Sequence, residues 1–318
     1  MSKIITLDEN TINKIAAGEV VERPASAIKE LVENSIDAGA TRISVEIKKG
    51  GISFIKVSDN GSGIEEDDVL IAFERHSTSK IRHSDELSSL LTLGFRGEAL
   101  ASIAAVSKVE MVTRTQKNSY GINIIVNGGN IEETRQIGAP VGTSITVREL
   151  FYNTPARFKF LKKDSAETGY ISDIVSRIAI GNPNIAVKFI NNGTTIIQTP
   201  GNNDLLSTIV SIYGSDVSRH LSEINYQEGF IKLTGYAGSS EISRASRNNQ
   251  SIFINGRYIK SKLITAAIDE AYKTILMKNK FAFIVLKMEI NTAEVDINVH
   301  PAKMEVRFSN ENEVFRSI

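Results

Sequence analysis

Residues 28–37 read Ile28-Lys29-Glu30-Leu31-Val32-Glu33-Asn34-Ser35-Ile36-Asp37. Ile28, Leu31, Val32 and Ser35 or Ile36 recur at helical spacing and mark a buried stripe. Glu30 and Asn34 stand one turn apart on the other side, so carboxylate and amide lie one above the other, and Asp37 continues the column. By itself such a column is an ordinary solvated helix face. The next sixty residues of the chain change its meaning.

Pro24 suits the first position of this helix and Gly39 a left-handed C-cap. Ile12, Ile15 and Ala16 give a preceding helix its stripe. Thr41 to Lys48 alternates as a strand, with Ile43, Val45 and Ile47 on one side. Lys49-Gly50-Gly51 turns the chain into a second strand, Ile52 to Val57, which runs into Asp59-Asn60-Gly61-Ser62-Gly63. A carboxylate only accepts hydrogen bonds and so matches an exocyclic amino group such as the N6 of adenine. Gly61 and Gly63 let the backbone approach a ligand closely; a plain hairpin turn is the alternative. Glu65 to Asp68 place acids at the start of a helix through Phe73. Then come Thr78-Ser79-Lys80-Ile81 and Gly94-Phe95-Arg96-Gly97-Glu98-Ala99-Leu100, opening a helix from Ala99 to Val106. A glycine-containing turn at a helix N-terminus is a natural phosphate cradle. No Gly-x-x-x-x-Gly-Lys-Ser/Thr occurs, which excludes a P-loop.

Within this pattern Glu30 is the candidate to orient an attacking water. Asn34 offers a neutral oxygen to Mg²⁺, which takes its other ligands from water and phosphate, and Glu30 touches that shell through water. The alternative for Glu30 is a helix-surface partner at i,i+4 spacing.

The order of these parts resembles the GHKL ATPase superfamily. Four stretches are similar to the MutL family in particular: Ile15 to Ala25, Gly94 to Leu100, Phe151-Tyr152-Asn153-Thr154-Pro155-Ala156-Arg157, and Asn298-Val299-His300-Pro301-Ala302-Lys303. The resemblance implies an α/β fold: a GHKL (Bergerat) α/β sandwich ATPase domain over residues 1–200, then a smaller transducer-like α/β domain over 201–318. It implies that Asp59 selects adenine, that Thr143 supports that end of the site, and that residues 76–97, with Thr78 and Lys80, order over nucleotide. It implies that Lys303 reaches the γ-phosphate from the second domain. The expected activity is hydrolysis of ATP to ADP and phosphate with Mg²⁺. ATP would drive homodimerisation, and the protein would link MutS at a mismatch to nicking and unwinding enzymes. A C-terminal dimerisation domain comes next in the family, so the chain is expected to be a fragment. A topoisomerase ATPase module is disfavoured by the Phe151–Arg157 and Asn298–Lys303 stretches, and a protein kinase by the missing kinase loop. A nucleotide-stabilised DNA clamp without hydrolysis is the rival from another class.

Composition bounds this. At 318 residues two domains are the default, and a 41% hydrophobic share is that of a globular protein. No apolar run approaches bilayer length and no signal-peptide core opens the chain, so a cytoplasmic protein is expected, and the resemblance implies that it is nucleoid-associated when acting on DNA. With no Cys, disulfides and thiolate metal sites are excluded. His76, His83, His220 and His300 lack metal-ligand spacing. Lys plus Arg and Asp plus Glu are both 37. Neutrality argues against strong monomeric DNA binding. Local cations remain candidates for weak, non-specific DNA contact: Arg157, Lys159, Lys162 and Lys163, then Arg257, Lys260 and Lys262, and Arg307. No aromatic platform is expected among them.

Farther along, strands are expected at 108–114, 121–126, 143–149, 185–191 and 194–199, with a helix from Asp164 to Ile180. Pro200-Gly201-Asn202-Asn203 is the most turn-rich stretch and the chosen domain boundary. Beyond it a helix (Leu205 to Tyr213), strands near 229–236 and 251–259, a helix (Leu263 to Ile275) and strands at 281–290 and 294–299 are expected. The chain is expected to stop just after a strand-like stretch.

Overall fold

The computed structural model describes residues 20–80, 97–296 and 306–318, together with Ile12, Ala17 and Gly18. By residue contacts the chain divides into two compact units, Met1–Ser176 with Asn184–Asn202, and Arg177–Pro183 with Asn203–Ile318.

The first unit is built on one eight-stranded sheet. Its strands are β1 (Arg42–Lys48), β2 (Phe54–Asp59), β3 (Lys108–Arg114), β4 (Gly121–Asn127), β5 (Asn130–Ile137), β6 (Gly142–Arg148), β7 (Ala186–Asn191) and β8 (Thr194–Gln198), in the order β5-β4-β3-β6-β2-β1-β7-β8. Neighbours are antiparallel except β1 and β7, which run parallel. Helix α1 (Pro24–Asp37) buries Ile28, Leu31, Val32 and Ser35 and packs on β1 and β2. Helix α2 (Ala99–Ala105) lies beside α1 and also packs on β3 and β4. Alternation along the strands matches the pleat: Ile43, Val45 and Ile47 of β1 and Val109, Met111 and Thr113 of β3 are buried, with partly exposed residues between them. These are helices on a sheet face, as an α/β sandwich requires. Helix α3 (Asp164–Gly181) closes the series.

The second unit holds α4 (Leu205–Tyr213), β9 (Leu221–Glu228), β10 (Ile231–Gly238), β11 (Gln250–Ile254), β12 (Arg257–Ile259), α5 (Lys262–Ala271) and β13 (Ile284–Ile290). Its sheet runs β12-β11-β13-β10-β9, with β11 and β13 parallel across the α5 connection. Alternate residues of β13 feed two cores. Ile284, Leu286, Met288 and Ile290 join Ile264 and Ile268 of α5, while Val285, next to Phe283, joins Ile209 of α4, Phe253 and Ile180. Covering both faces explains why Ile284, Val285 and Leu286 are apolar in succession.

Several elements differ from expectation. Beyond Glu65 only a single helical turn forms, Asp68–Ile71, with turns continuing through Glu74. Strand β5 was not expected; every residue from Asn130 to Gln136 is exposed, so it carries no apolar alternation and stands as a charged sheet edge. Strand β9 is likewise largely exposed and was missed. After the short strand Arg307–Phe308 comes a helix that was not expected, α6 (Glu311–Ser317). Asn310 caps it by accepting from the Glu313 N–H at 3.2 Å while its own amide donates back to the Glu313 carboxylate at 3.0 Å. An N-cap Asn followed three residues on by Glu is a helix-start signal present in the sequence. The end of the strand expected at 294–299 lies outside the described residues, which show Val295–Asp296 paired with Arg307–Phe308.

Candidate active site

The centre of the site is Asp59, the last residue of β2. Its Oδ1 accepts the N–H of Gly61 at 2.9 Å and that of Thr143, on β6, at 3.2 Å. Its Oδ2 accepts the hydroxyl of Ser35, on α1, at 2.7 Å. A carboxylate has about four acceptor directions. The described residues fill three of them and orient the group, which leaves room for one further donor.

Two glycines make this possible. At Gly142 (φ +117°) a Cβ would fall 2.2 Å from the Asp59 carbonyl oxygen, so only glycine lets β6 come close enough for the Thr143 N–H to reach the carboxylate. At Gly63 (φ +74°) a Cβ would fall 2.1 Å from the Arg114 carbonyl oxygen. There the turn lies directly on the end of β3. Thr113, fully buried, ties these pieces together: its Oγ1 lies 3.0 Å from that of Thr143 and accepts the Ile64 N–H at 2.9 Å.

The column on α1 is present as a face. Glu30 is part-exposed and 3.6 Å from the Lys29 ammonium, which also holds Glu33 at 3.0 Å. Burial disfavours the Lys29 charge, yet Glu33 and Glu30 together outweigh it and raise the lysine above its ordinary range. Asn34 Oδ1 accepts from the Lys80 ammonium at 2.9 Å, and Asp37 Oδ2 accepts from the same group at 2.5 Å. Thr78 Oγ1 accepts the Lys80 N–H at 3.2 Å. Asn34 thus already holds a cation, which is what a metal ligand must do. Among the described residues no three His, Cys, Asp or Glu side chains gather into a metal site of their own.

Gly97 packs on the backbone of Ser77, and Glu98 pairs with His76 at 3.2 Å and with Arg75 at 3.7 Å. Ala99 and Leu100 are the first residues of α2. Gly94, Phe95, Arg96 and Lys303 lie outside the described residues. Ser35 holds Asp59, and Thr113 ties Ile64 to Thr143 beside it; neither was among the candidate residues. The signal for Ser35 was a hydroxyl in an otherwise apolar stripe.

The cationic candidates divide. Arg157 stacks over Phe151 (5.7 Å) and abuts Gly18, with Nη1 buried, so its guanidinium serves packing in the first unit. Lys159, Lys162 and Lys163 are exposed, as are Lys260, Lys262 and Arg307, and Arg257 is half-buried. The expectation of no interleaved aromatic is corrected: Phe158 and Phe160 flank Lys159 and are 50% and 80% exposed.

Known proteins place this arrangement. The family model "Histidine kinase-, DNA gyrase B-, and HSP90-like ATPase" matches residues 22–147, and "DNA mismatch repair protein, C-terminal domain" matches 209–318. The structure of an N-terminal domain of a DNA repair protein superimposes with TM-score 0.82 at 27% identity, covering 96% of this chain and 94% of that one. The Aquifex aeolicus MutL ATPase domain complexed with ADP does so with TM-score 0.67 at 29% identity, covering 86% and 93%. Fold and site thus define a GHKL-type ATPase domain joined to a second α/β domain. MutL of Agathobacter rectalis is 50% identical over 315 residues, covering 99% of this chain and 48% of that protein. The chain belongs to the MutL family of DNA mismatch repair proteins. It spans about half the length of the curated relatives it matches. Among the described residues no helix is long and apolar enough to cross a membrane.

Proposed function

We propose that the chain is the ATP-hydrolysing switch of a mismatch-repair protein, with residues 1–200 as its ATPase domain and 201–318 as a transducer-like domain. The observation that carries this is the Asp59 carboxylate, held by Ser35, Gly61 and Thr143 beside the Glu30–Asn34 face of α1. A carboxylate so fixed presents one acceptor direction to the amino group of adenine. Its strand-end position, on glycines that bring backbone close, suits a flat base.

Glu30 is the general base and water-orienting group, within one helical turn of Asn34. Asn34 would hold Mg²⁺, which supplies charge neutralisation at the β- and γ-phosphate oxygens when bound. The Lys80 ammonium on Asn34 Oδ1 is a stand-in cation that supports this fit. Thr78, Gly94 to Leu100 and Lys303 are assigned to the phosphate end, where lysine acts as a point charge on the transferred group. Nucleotide would control homodimerisation, and the dimer would bind DNA weakly through backbone contacts and engage MutS and downstream nicking and unwinding enzymes. The relative solved with ADP supports a nucleotide ligand.

The deciding experiment is phosphate release by wild type and Glu30→Ala, with binding of ATP measured in parallel. Glu30→Ala should bind ATP and release no phosphate. Wild-type turnover in this variant, in a preparation free of contaminating ATPase, would sink the assignment.

A further inference from the structure

Lys80 reaches the part-buried Asn34–Asp37 face of α1 and places its ammonium between two oxygens, 2.9 Å from Asn34 Oδ1 and 2.5 Å from Asp37 Oδ2. The arrangement is a built one. The Asp37 side chain is 8% exposed and that of Lys80 20%, so the pair is largely withdrawn from water, where a charge without its partner is costly. Thr78 Oγ1 accepts the Lys80 N–H at 3.2 Å and steadies the backbone from which the lysine projects. The acceptor at Asn34 is the oxygen that the proposed function gives to a divalent metal.

An ammonium and a divalent cation cannot share that oxygen at close range, since like charges a few ångströms apart repel strongly in a partly buried site. A bare metal ion entering here would face the Lys80 ammonium, with Asp37 already engaged by it. A metal chelated by nucleotide brings its own negative charge, and the phosphates can re-pair the ammonium that it displaces.

We propose that Lys80 is a built-in counter-cation of this face: it excludes free divalent metal from Asn34 and yields that oxygen only to a metal arriving as its nucleotide chelate. In this arrangement Asp37 is the anchor of Lys80, and Lys80 sets the order in which ligands load. This rests on the ATPase assignment of the same site, and the experiment separates the two.

Mn²⁺ serves as the probe, with free Mn²⁺ read by its electron paramagnetic resonance signal, on the whole chain with and without a non-hydrolysable ATP analogue. Wild type should bind Mn²⁺ appreciably only with the analogue present. Without nucleotide, Lys80→Met should bind Mn²⁺ roughly tenfold or more tightly than wild type, the gain expected from removing a close like charge. Adding Asn34→Ala to that variant should abolish the gain. Lys80→Gln, which keeps a polar side chain, should show the same gain, so a folding defect in the methionine variant does not decide the matter. Equal nucleotide-free Mn²⁺ affinity in wild type and both Lys80 variants would overturn the proposal. Failure of wild type to bind the analogue under any metal condition would overturn the ATPase assignment instead.

Discussion

Ser35 Oγ donates a 2.7 Å hydrogen bond to Asp59 Oδ2, so the buried stripe of α1 and the acidic end of β2 are one unit. The helix that carries Glu30 and Asn34 is thereby registered against the group assigned to adenine. Ser35→Ala removes a hydrogen bond to a charged acceptor and should cost about 1–3 kcal/mol of stability. It should also weaken binding of an ATP analogue, because Asp59 loses one of its three constraints. Urea unfolding with parallel calorimetric titration would check both, and unchanged values in each would remove Ser35 from the site.

Asp59→Asn presents a donor where a base amino group needs an acceptor. A mispaired buried contact costs about 1–3 kcal/mol, roughly tenfold to a hundredfold in ATP affinity. The unmutated protein should prefer ATP to GTP. Equal affinity for the two nucleotides would exclude this role for Asp59.

Asn34→Ala should lower nucleotide affinity in Mg²⁺ buffer and leave the affinity in EDTA close to that of wild type, since the amide is assigned to the metal and not to the base. An equal loss in both buffers would place Asn34 on the nucleotide itself.

Asp204 caps α4 by accepting the N–H of Leu206 at 3.0 Å and that of Ser207 at 3.2 Å, along with the Ser207 hydroxyl. The Ser207 hydroxyl, with help from the two backbone N–H groups, outweighs the small effect of burial and holds this carboxyl below the usual carboxylate range. Folded-state depression means its contribution is present above the unfolded pKa and fades as pH falls through the folded value. Asp204→Ala should therefore cost about 1 kcal/mol at neutral pH. The difference from wild type should shrink in acid unfolding below about pH 4; a pH-independent difference would show that the charge contributes nothing.

Reversing charge at Arg257 and Lys260 should weaken DNA binding uniformly across sequences and flatten its salt dependence, with ATP binding intact. If affinity at low salt is unchanged, Lys159, Lys162 and Lys163 are the surface to test next. There Phe158 and Phe160 are exposed beside Lys159, so a preference for single strands is the outcome expected of that surface.

The residues proposed for the site stand out in the sequence through short, local spacing. Glu30 and Asn34 share a helical face, and Asp59 is the last residue of β2. The partners of Asp59 were harder to read. Ser35 and Thr143 are 24 and 84 residues away, and only the sheet order brings them in. Thr143 entered through family resemblance and Ser35 not at all. The Lys80 contact crosses 46 residues from Asn34 and has no sequence signature. Among elements, apolar periodicity located the buried strands, and the missed ones, β5 and β9, are those whose side chains mostly face water. Helix α6 was missed for a different reason: Asn310 and Glu313 announce it, but the apolar residues around them are too few to set a period.

Strand β13 constrains how the second unit can assemble. Its alternate residues serve two separate cores, so sliding it by one position against β10 or β11 would exchange the two sets. Lys287, whose ammonium now donates to the Gly181 carbonyl oxygen at 3.2 Å, would move to the face now occupied by Leu286 and Met288. Burial already pushes this lysine below its ordinary range, so an unpartnered position among aliphatic side chains would be costlier still. A register error is penalised on both faces at once. The charged side chain in the middle of an apolar strand thus acts as a proofreading mark for strand pairing.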